Sequence, residues 1–398
     1  MPASPTTPRA PAWHSGAVTD PFDLTLTDLR RRTSVKWRAF PDDVLPLFVA
    51  EMDVHQSEHV VAAVEEAMRE GDTGYPAGSA YAEAFAAFAT RRYGWSPDPA
   101  AMRLVPTVMT GVAAMIRALT DPGDAVVISP PVYPPFVAFT RDADRRIVHA
   151  PLTGTGRLDP AALDEAFARA TAGGRRAVYL LCQPHNPTGT VHSAAELARL
   201  GELAAAHGVR VVSDEIHAPL VLDPAVGLTP APTVIPDAIA LVSASKAFNL
   251  AALPAALAVP GPAAVDDVAR LPEVVGHPVA HLGVIAQTAA LTHGDAWLDA
   301  VLLGLRARAD HLEALLADRL PTVSWLRGPA TYLAWLDLRA TLPDQPHPEQ
   351  WLVEHARVAL TGGAGFGPRA TGFARLNFAT TTALLDEAID RMATALGR

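Results

Sequence analysis

The sequence predicts an α/β fold. A large unit carries a mostly parallel β-sheet covered by helices, and a smaller α+β unit is assembled from the N- and C-terminal segments. Three observations support this. Continuous Val/Ile/Leu/Ala stretches occur at 125–129, 177–183, 209–213 and 239–242. Helical segments lie between them, and strands joined by helical crossovers form parallel sheets buried on both faces. After a long helix over 295–320 the pattern changes to strands at 325–338, 358–360 and 373–378, with a last helix from Ala383. The expected division is a flexible tail over 1–28, a small unit from 29–56 and 290–398, and a large unit over 57–289.

Composition sets the broad class. The chain has 398 residues, 49% apolar and 19% charged, so a substantial core is available and global disorder is excluded. A formal net charge of −10 argues against a nucleic-acid partner, while leaving room for a local basic pocket. One cysteine, Cys182, excludes an intrachain disulfide and fits a reducing compartment. The first twenty residues hold Pro2, Pro5, Pro8 and Pro11 and lack the pattern of a signal peptide. No apolar run reaches eighteen residues, and the longest, over 250–259, is interrupted by Pro254. A soluble cytoplasmic protein without membrane contact is expected.

The elements follow in order. Residues 30–55 read as an extended entry segment ending in Glu51-Met52-Asp53. Ser57 opens an amphipathic helix that Gly71 ends, and Gly74-Tyr75-Pro76 is a rigid turn presenting a tyrosine. A second helix over 80–92 stops at Gly94. Thr107 to Ala114 reads as a turn entering a helix, where Gly111 lets backbone amides and the helix dipole approach an anion. Asp159-Pro160 is an N-cap followed by proline at the first helical position. Ser193 and Glu196 form a capping box for a helix ending near Gly208.

In parallel sheets, ligands sit beyond the carboxyl ends of the strands. Each of the four strands here is followed by polar or aromatic residues: Tyr133, then Asn186, then Asp214 and His217, then Lys246. A lysine directly after an apolar strand is unusual, because burial lowers its pKa toward the range where the amine is a nucleophile. Ser243 and Ser245 flank it with hydroxyls able to donate to a phosphate. A lysine amine beside a phosphate cradle is what pyridoxal phosphate requires.

The assembled chain resembles the fold-type I pyridoxal-phosphate enzymes, the aminotransferase class I/II superfamily, from about Arg31 onward. Within it, the chain is similar to the MalY/PatB-like branch of cystathionine β-lyases and other C–S lyases. Eight strings carry the resemblance in order, among them Lys36-Trp37, Ala50-Glu51-Met52-Asp53, Cys182-Gln183-Pro184-His185-Asn186-Pro187, Ser213-Asp214-Glu215-Ile216-His217, Ser245-Lys246-Ala247-Phe248-Asn249 and Phe373-Ala374-Arg375-Leu376-Asn377.

The resemblance implies an aspartate-aminotransferase-like fold, a homodimer and pyridoxal 5'-phosphate as cofactor. Lys246 would hold the cofactor and then serve as general base, and Asp214 would face the pyridine nitrogen. Asn186 would bond the phenolic oxygen, with His217 nearby, and Tyr133 would stack on the ring. Gly111, Val112, Ser243 and Ser245 would receive the phosphate, together with Tyr75 from the neighbouring subunit. Arg375 would clamp the substrate carboxylate, with Asn186, Trp37 and Asp53 also at the substrate.

The expected reaction is β-elimination from a cysteine thioether, cystathionine or another S-substituted cysteine, to a thiol, pyruvate and ammonia. The alternative is amino transfer, or decarboxylation coupled to deamination, on the same scaffold. His217 in place of a tyrosine, and Pro254 in place of a phosphate-binding arginine, count against an aminotransferase. Glu51, Leu47-Phe48, Ala252 and the stretch 365–372 depart from the branch pattern and leave the substrate side chain open.

Overall fold

The computed structural model describes residues 20–397. A seven-stranded sheet forms the centre, in the order Arg103–Val105, Ala256–Pro260, Ile239–Val242, Val209–Asp214, Ala177–Cys182, Ala125–Ile128, Arg146–His149. The five strands from Ile239–Val242 to Arg146–His149 are parallel; at one edge Ala256–Pro260 runs against them, and Arg103–Val105 pairs antiparallel with it. The sheet is flanked by helices, as expected for an α/β fold, and all four anticipated strands are present. Three strands were not anticipated. Arg103–Val105 and Arg146–His149 are short and partly exposed at the edges, so they lack the continuous apolar signature. Ala256–Pro260 is hidden in an alanine-rich run just after Pro254.

The helix starts follow their caps. Thr107 and Thr110 form a capping box at Val108–Leu119, and Ser193 and Glu196 form another at Ala194–His207. Gly71, Gly94 and Gly208 close three helices in the left-handed conformation that glycine adopts without a Cβ penalty.

A second sheet, antiparallel and four-stranded, has the order Thr361–Gly362, Phe373–Asn377, Leu333–Asp337, Ser324–Trp325. The single strand expected over 325–338 is two strands, separated by a turn in which Thr331 has φ +69°. The strand expected over 358–360 is Val358–Ala359, and a further short strand, Thr361–Gly362, follows it in a different sheet.

The N-terminal segment departs most from expectation. The part of the expected tail before Asp20 lies outside the described residues, but from Asp20 the chain is packed rather than flexible. Phe22 is buried under the Arg308 guanidinium, 3.9 Å from its ring centre, and Arg308 pairs with Asp20 at 3.2 Å. The entry segment is not simply extended. It holds the short helices Leu26–Arg30 and Val35–Arg38, the first fixed by a capping box between Thr25 and Asp28. Leu45–Pro46 then pairs in parallel with Val358–Ala359, joining the two ends of the chain.

From Leu47 to Val54 this segment runs across the large unit as an irregular strap. A buried ion pair anchors its far end. Lys36 Nζ lies 2.7 Å from Asp53 Oδ2, and both side chains are wholly inaccessible. Trp37 Nε1 donates to the other Asp53 oxygen at 3.0 Å, and Lys36 also donates to the Glu51 carbonyl. Among the described residues no helix is long and apolar enough to cross a membrane.

Removing one partner of a buried pair leaves an uncompensated charge, which costs about 3–5 kcal/mol. Asp53→Ala is therefore expected to lower unfolding free energy by about that amount, read from the urea midpoint at constant slope. The double variant Lys36→Met/Asp53→Leu should recover part of the loss, since the Trp37 Nε1 donor is still left without its acceptor.

Candidate active site

Beyond the carboxyl ends of four neighbouring parallel strands lies a cavity of about 330 Å³. Lys246, Asp214, Asn186, Tyr133, His217 and Ser245 all line it. The strands explain the convergence. Asp214 ends its own strand, Asn186 and Lys246 follow theirs by four residues, and Tyr133 follows Ala125–Ile128 by five.

Lys246 Nζ donates to the Ala50 carbonyl of the strap at 3.0 Å. Burial, reinforced by the nearby Arg375 cation and opposed by Asp214 and Glu51, lowers its pKa to about 8. Asp214 is buried, and desolvation raises it to about 6 against the pull of the Ile216 amide and Lys246. At pH 7 the carboxylate is mainly ionised, so the cavity floor presents a negative charge. His217 is driven the other way. Burial first, then Lys246 and Arg375, lowers it to about 3, so its imidazole is neutral at pH 7. The ring meets Tyr332 edge to face at 6.2 Å, and its buried Nδ1 has no hydrogen-bond partner. Burial, with Asp214 beside it, raises the Tyr133 phenol, which stays protonated.

Arg375 comes from the second sheet and reaches the same place. Its Nη1 donates to Asn186 Oδ1 at 3.0 Å, and its Nη2 to the Phe48 carbonyl at 3.3 Å. The guanidinium lies 5.3 Å from the Phe366 ring centre, and its buried Nε has no partner. A buried cation with an unused donor is an anion receptor. Burial lowers Arg375 to about 10, which leaves it charged at neutral pH.

The free helix amides lie nearer the helix start than Gly111. Gly111 sits one turn inside its helix, and its N–H already donates to the Thr107 carbonyl at 2.9 Å. A Cβ there would stand 2.5 Å from Leu241 Cδ1, so the glycine serves close helix–strand packing, not an anion. Val112 is fully buried in the adjoining core. The cavity is lined instead by Thr107, Val108 and Met109. The amides of Val108 and Met109 are the first two of the helix, without intrahelical acceptors, and aligned peptide dipoles favour a negative group there. The glycine was the conspicuous residue in the sequence, but the helix start carries the donors. Ser245 remains at this end. The Ser243 hydroxyl is turned into the fold, donating to the Ala255 carbonyl at 2.7 Å.

Two more assignments change. Asp53 and Trp37 do not line the cavity: each is committed to the ion-pair cluster under the strap, where Lys36 needs a carboxylate partner. Tyr75 is 89% exposed and lines a separate surface concavity, so it does not reach the lysine of its own chain. Sequence reasoning also missed Tyr332, whose hydroxyl donates to the Ala50 carbonyl at 3.2 Å beside Lys246. The residues present fit pyridoxal phosphate: a buried amine, a buried carboxylate on the cavity floor, an aromatic wall and free helix amides surround one space.

A family described as aminotransferase class I and II matches residues 42–392. A Mycobacterium leprae (strain TN) protein provisionally named cystathionine beta-lyase is 49% identical over 391 residues, covering 94% of this chain and 97% of that protein. Cystathionine beta-lyase PatB of Bacillus subtilis (strain 168) is 32% identical over 383 residues, covering 91% and 96%. The crystal structure of the PLP-bound C-S lyase from Staphylococcus hominis superposes with a TM-score of 0.87 at 26% identity, covering 96% of this chain and 99% of that one. The chain belongs to the class I and II aminotransferase family.

Proposed function

We propose that this protein is a pyridoxal-phosphate-dependent C–S β-lyase that cleaves a cysteine thioether to a thiol, pyruvate and ammonia, with uptake of one water. The observation that carries the chemistry is the meeting of Lys246, Asp214 and Asn186 around one cavity, with Arg375 bonded to Asn186 behind it and charges suited to an amino acid and its cofactor. The choice of elimination over amino transfer rests on relatives that bear lyase names.

Bound in this cavity, pyridoxal phosphate supplies an electron sink for the charge left when the substrate loses its Cα proton. The protein residues do the rest. Lys246 would hold the cofactor, and its Nζ is the base placed to take the substrate Cα proton. A pKa near 8 leaves a usable fraction of neutral amine at neutral pH. Asp214 stabilises a protonated nitrogen on the cavity floor. Arg375 grips the α-carboxylate with its free Nε and an adjoining Nη, while the Asn186 oxygen holds the guanidinium in orientation. Tyr133 supplies an aromatic face, neutral His217 an uncharged hydrogen-bonding group, and Ser245 with the Val108 and Met109 amides the phosphate seat. A thiolate leaves Cβ more readily than an alkoxide, which suits thioethers.

The proposed assembly is a homodimer. An 89% exposed Tyr75, held out on the Gly74-Tyr75-Pro76 turn, supports it as a side chain offered to a neighbouring subunit. The single buried thiol, Cys182, fits action in the cytoplasm.

Incubation with cystathionine or S-alkylcysteines, without a keto acid, should yield pyruvate and free thiol in equal amounts. No product there, with amino transfer on adding 2-oxoglutarate, would sink the lyase reading. Arg375→Ala removes charge-assisted bonds worth about 3 kcal/mol, so kcat/KM should fall about 100-fold. In the unloaded protein, attachment of pyridoxal phosphate to Lys246, trapped by borohydride, should accelerate about tenfold per pH unit and level off near pH 8, where the amine becomes neutral. A rate still climbing steeply to pH 10 would show that the lysine is not desolvated.

A further inference from the structure

The loop that carries Lys246 leaves the sheet after Val242 and returns at Ala256. Its two ends meet one buried side chain. Gln287, on the helix His281–His293, is wholly inaccessible, and its amide reaches both ends of the loop. Oε1 accepts from the Ala244 amide at 2.9 Å, two residues before Lys246. Nε2 donates to the Leu253 carbonyl at 3.0 Å, seven residues after it. Oε1 also accepts from the Tyr81 hydroxyl at 2.7 Å and lies 3.0 Å from Ser243 Oγ.

The orientation of the amide is chemically determined. Turned over, it would set NH₂ against the Ala244 N–H and its oxygen against the Leu253 carbonyl, like facing like at both ends. A glutamine is the residue that offers one acceptor and one donor at this reach. Asparagine is a methylene shorter, glutamate lacks the donor, and an apolar residue would take this partner from the buried Ala244 amide and the half-buried Leu253 carbonyl.

A second feature points the same way. Gly283 lies four residues before Gln287, on the same helix face. A Cβ there would stand 2.6 Å from the Pro254 carbonyl oxygen and 2.9 Å from that of Leu253. The missing side chain lets the helix backbone close directly onto the returning end of the loop, which brings Gln287 within reach. Tyr81, the third partner, stands on the helix that starts just after the exposed Tyr75 turn.

We propose that Gln287 is the positioning residue of the active-site lysine: by joining the Ala244 amide to the Leu253 carbonyl it closes the loop and sets Lys246 Nζ at the cavity. Gln287 touches no substrate and acts only through this loop. The proposal rests on the reading that Lys246 carries pyridoxal phosphate.

The test uses full-length protein loaded with pyridoxal phosphate, comparing wild type with Gln287→Leu, Gln287→Glu and Gly283→Ala. The pH titration of the visible absorbance of the bound cofactor reports the environment of the lysine, and circular dichroism reports folding. In Gln287→Leu the titration midpoint should move by about 0.5–1 pH unit, and borohydride-trappable attachment should slow about tenfold. Gln287→Glu, which keeps the Ala244 bond, should fall between it and wild type. A folded Gln287→Leu with lower melting temperature but unchanged midpoint and attachment rate would reduce the residue to ordinary core and overturn the proposal.

If Gln287→Leu does not fold, Gly283→Ala is judged by the same two readouts, with the same shift expected and an unchanged midpoint counting against the proposal. If wild type takes up no pyridoxal phosphate, the functional reading fails by itself. The positional claim is then decided on the unloaded protein, by the pH dependence of Lys246 modification with trinitrobenzenesulfonate. A profile displaced in Gln287→Leu supports the claim, and an identical one overturns it.

Discussion

An irregular, partly buried backbone segment beside a cavity must find donors for the carbonyls it turns inward. The strap from Leu47 to Val54 meets that demand with residues around the active site and with the cations of the ion-pair cluster. Phe48 O accepts from Thr361 and Arg375, Val49 O from Asn377, and Ala50 O from Lys246 and Tyr332. Glu51 O accepts from Asn377 and Lys36, and Met52 O from Asn249 and Arg32. Asn249, three residues after the lysine, bonds both the amide and the carbonyl of Met52. It does so from φ +53°, a left-handed conformation that asparagine tolerates better than most residues. Asn377 lies two residues after Arg375 and so on the same face of its strand. The strap is thereby tied to both the lysine loop and the arginine strand, and it brings the two ends of the chain to one cavity.

The electrostatics of the cavity follow from burial acting on unlike groups. Desolvation disfavours charge everywhere, lowering Lys246, His217 and Arg375 and raising Asp214 and Tyr133. What separates them is their neighbours. Asp214 stays ionised because Lys246 and the Ile216 amide support it, whereas His217, facing two cations, stays neutral. A lysine, an arginine and a carboxylate can share so small a space only because their charges are complementary.

The main frame was legible in the sequence wherever one physical rule dominated. Continuous apolar runs marked the four central strands, and a capping box marked the helix start at Ser193. The rule that ligands lie beyond parallel strand ends selected Lys246, Asp214, Asn186 and Tyr133. It failed where tertiary contacts decide. Gly111 looked like an anion-binding glycine, but Leu241 requires it; Asp53 looked like a ligand residue, but Lys36 requires it. The edge strands escaped notice because half-exposed strands of three or four residues carry little pattern. Gln287 could not be found at all, since a lone glutamine in a helix acquires its meaning only from a loop some forty residues away in sequence.

The Ala50 carbonyl has one further consequence. Two donors reach it, the Lys246 amine and the Tyr332 hydroxyl, and an oxygen with two lone pairs serves both. When the amine is drawn away to a partner of its own, the tyrosine remains, and the carbonyl keeps a donor. The lysine can therefore swing between strap and cavity without the strap coming loose. Mobility of the one side chain that must move is uncoupled from the segment that roofs it.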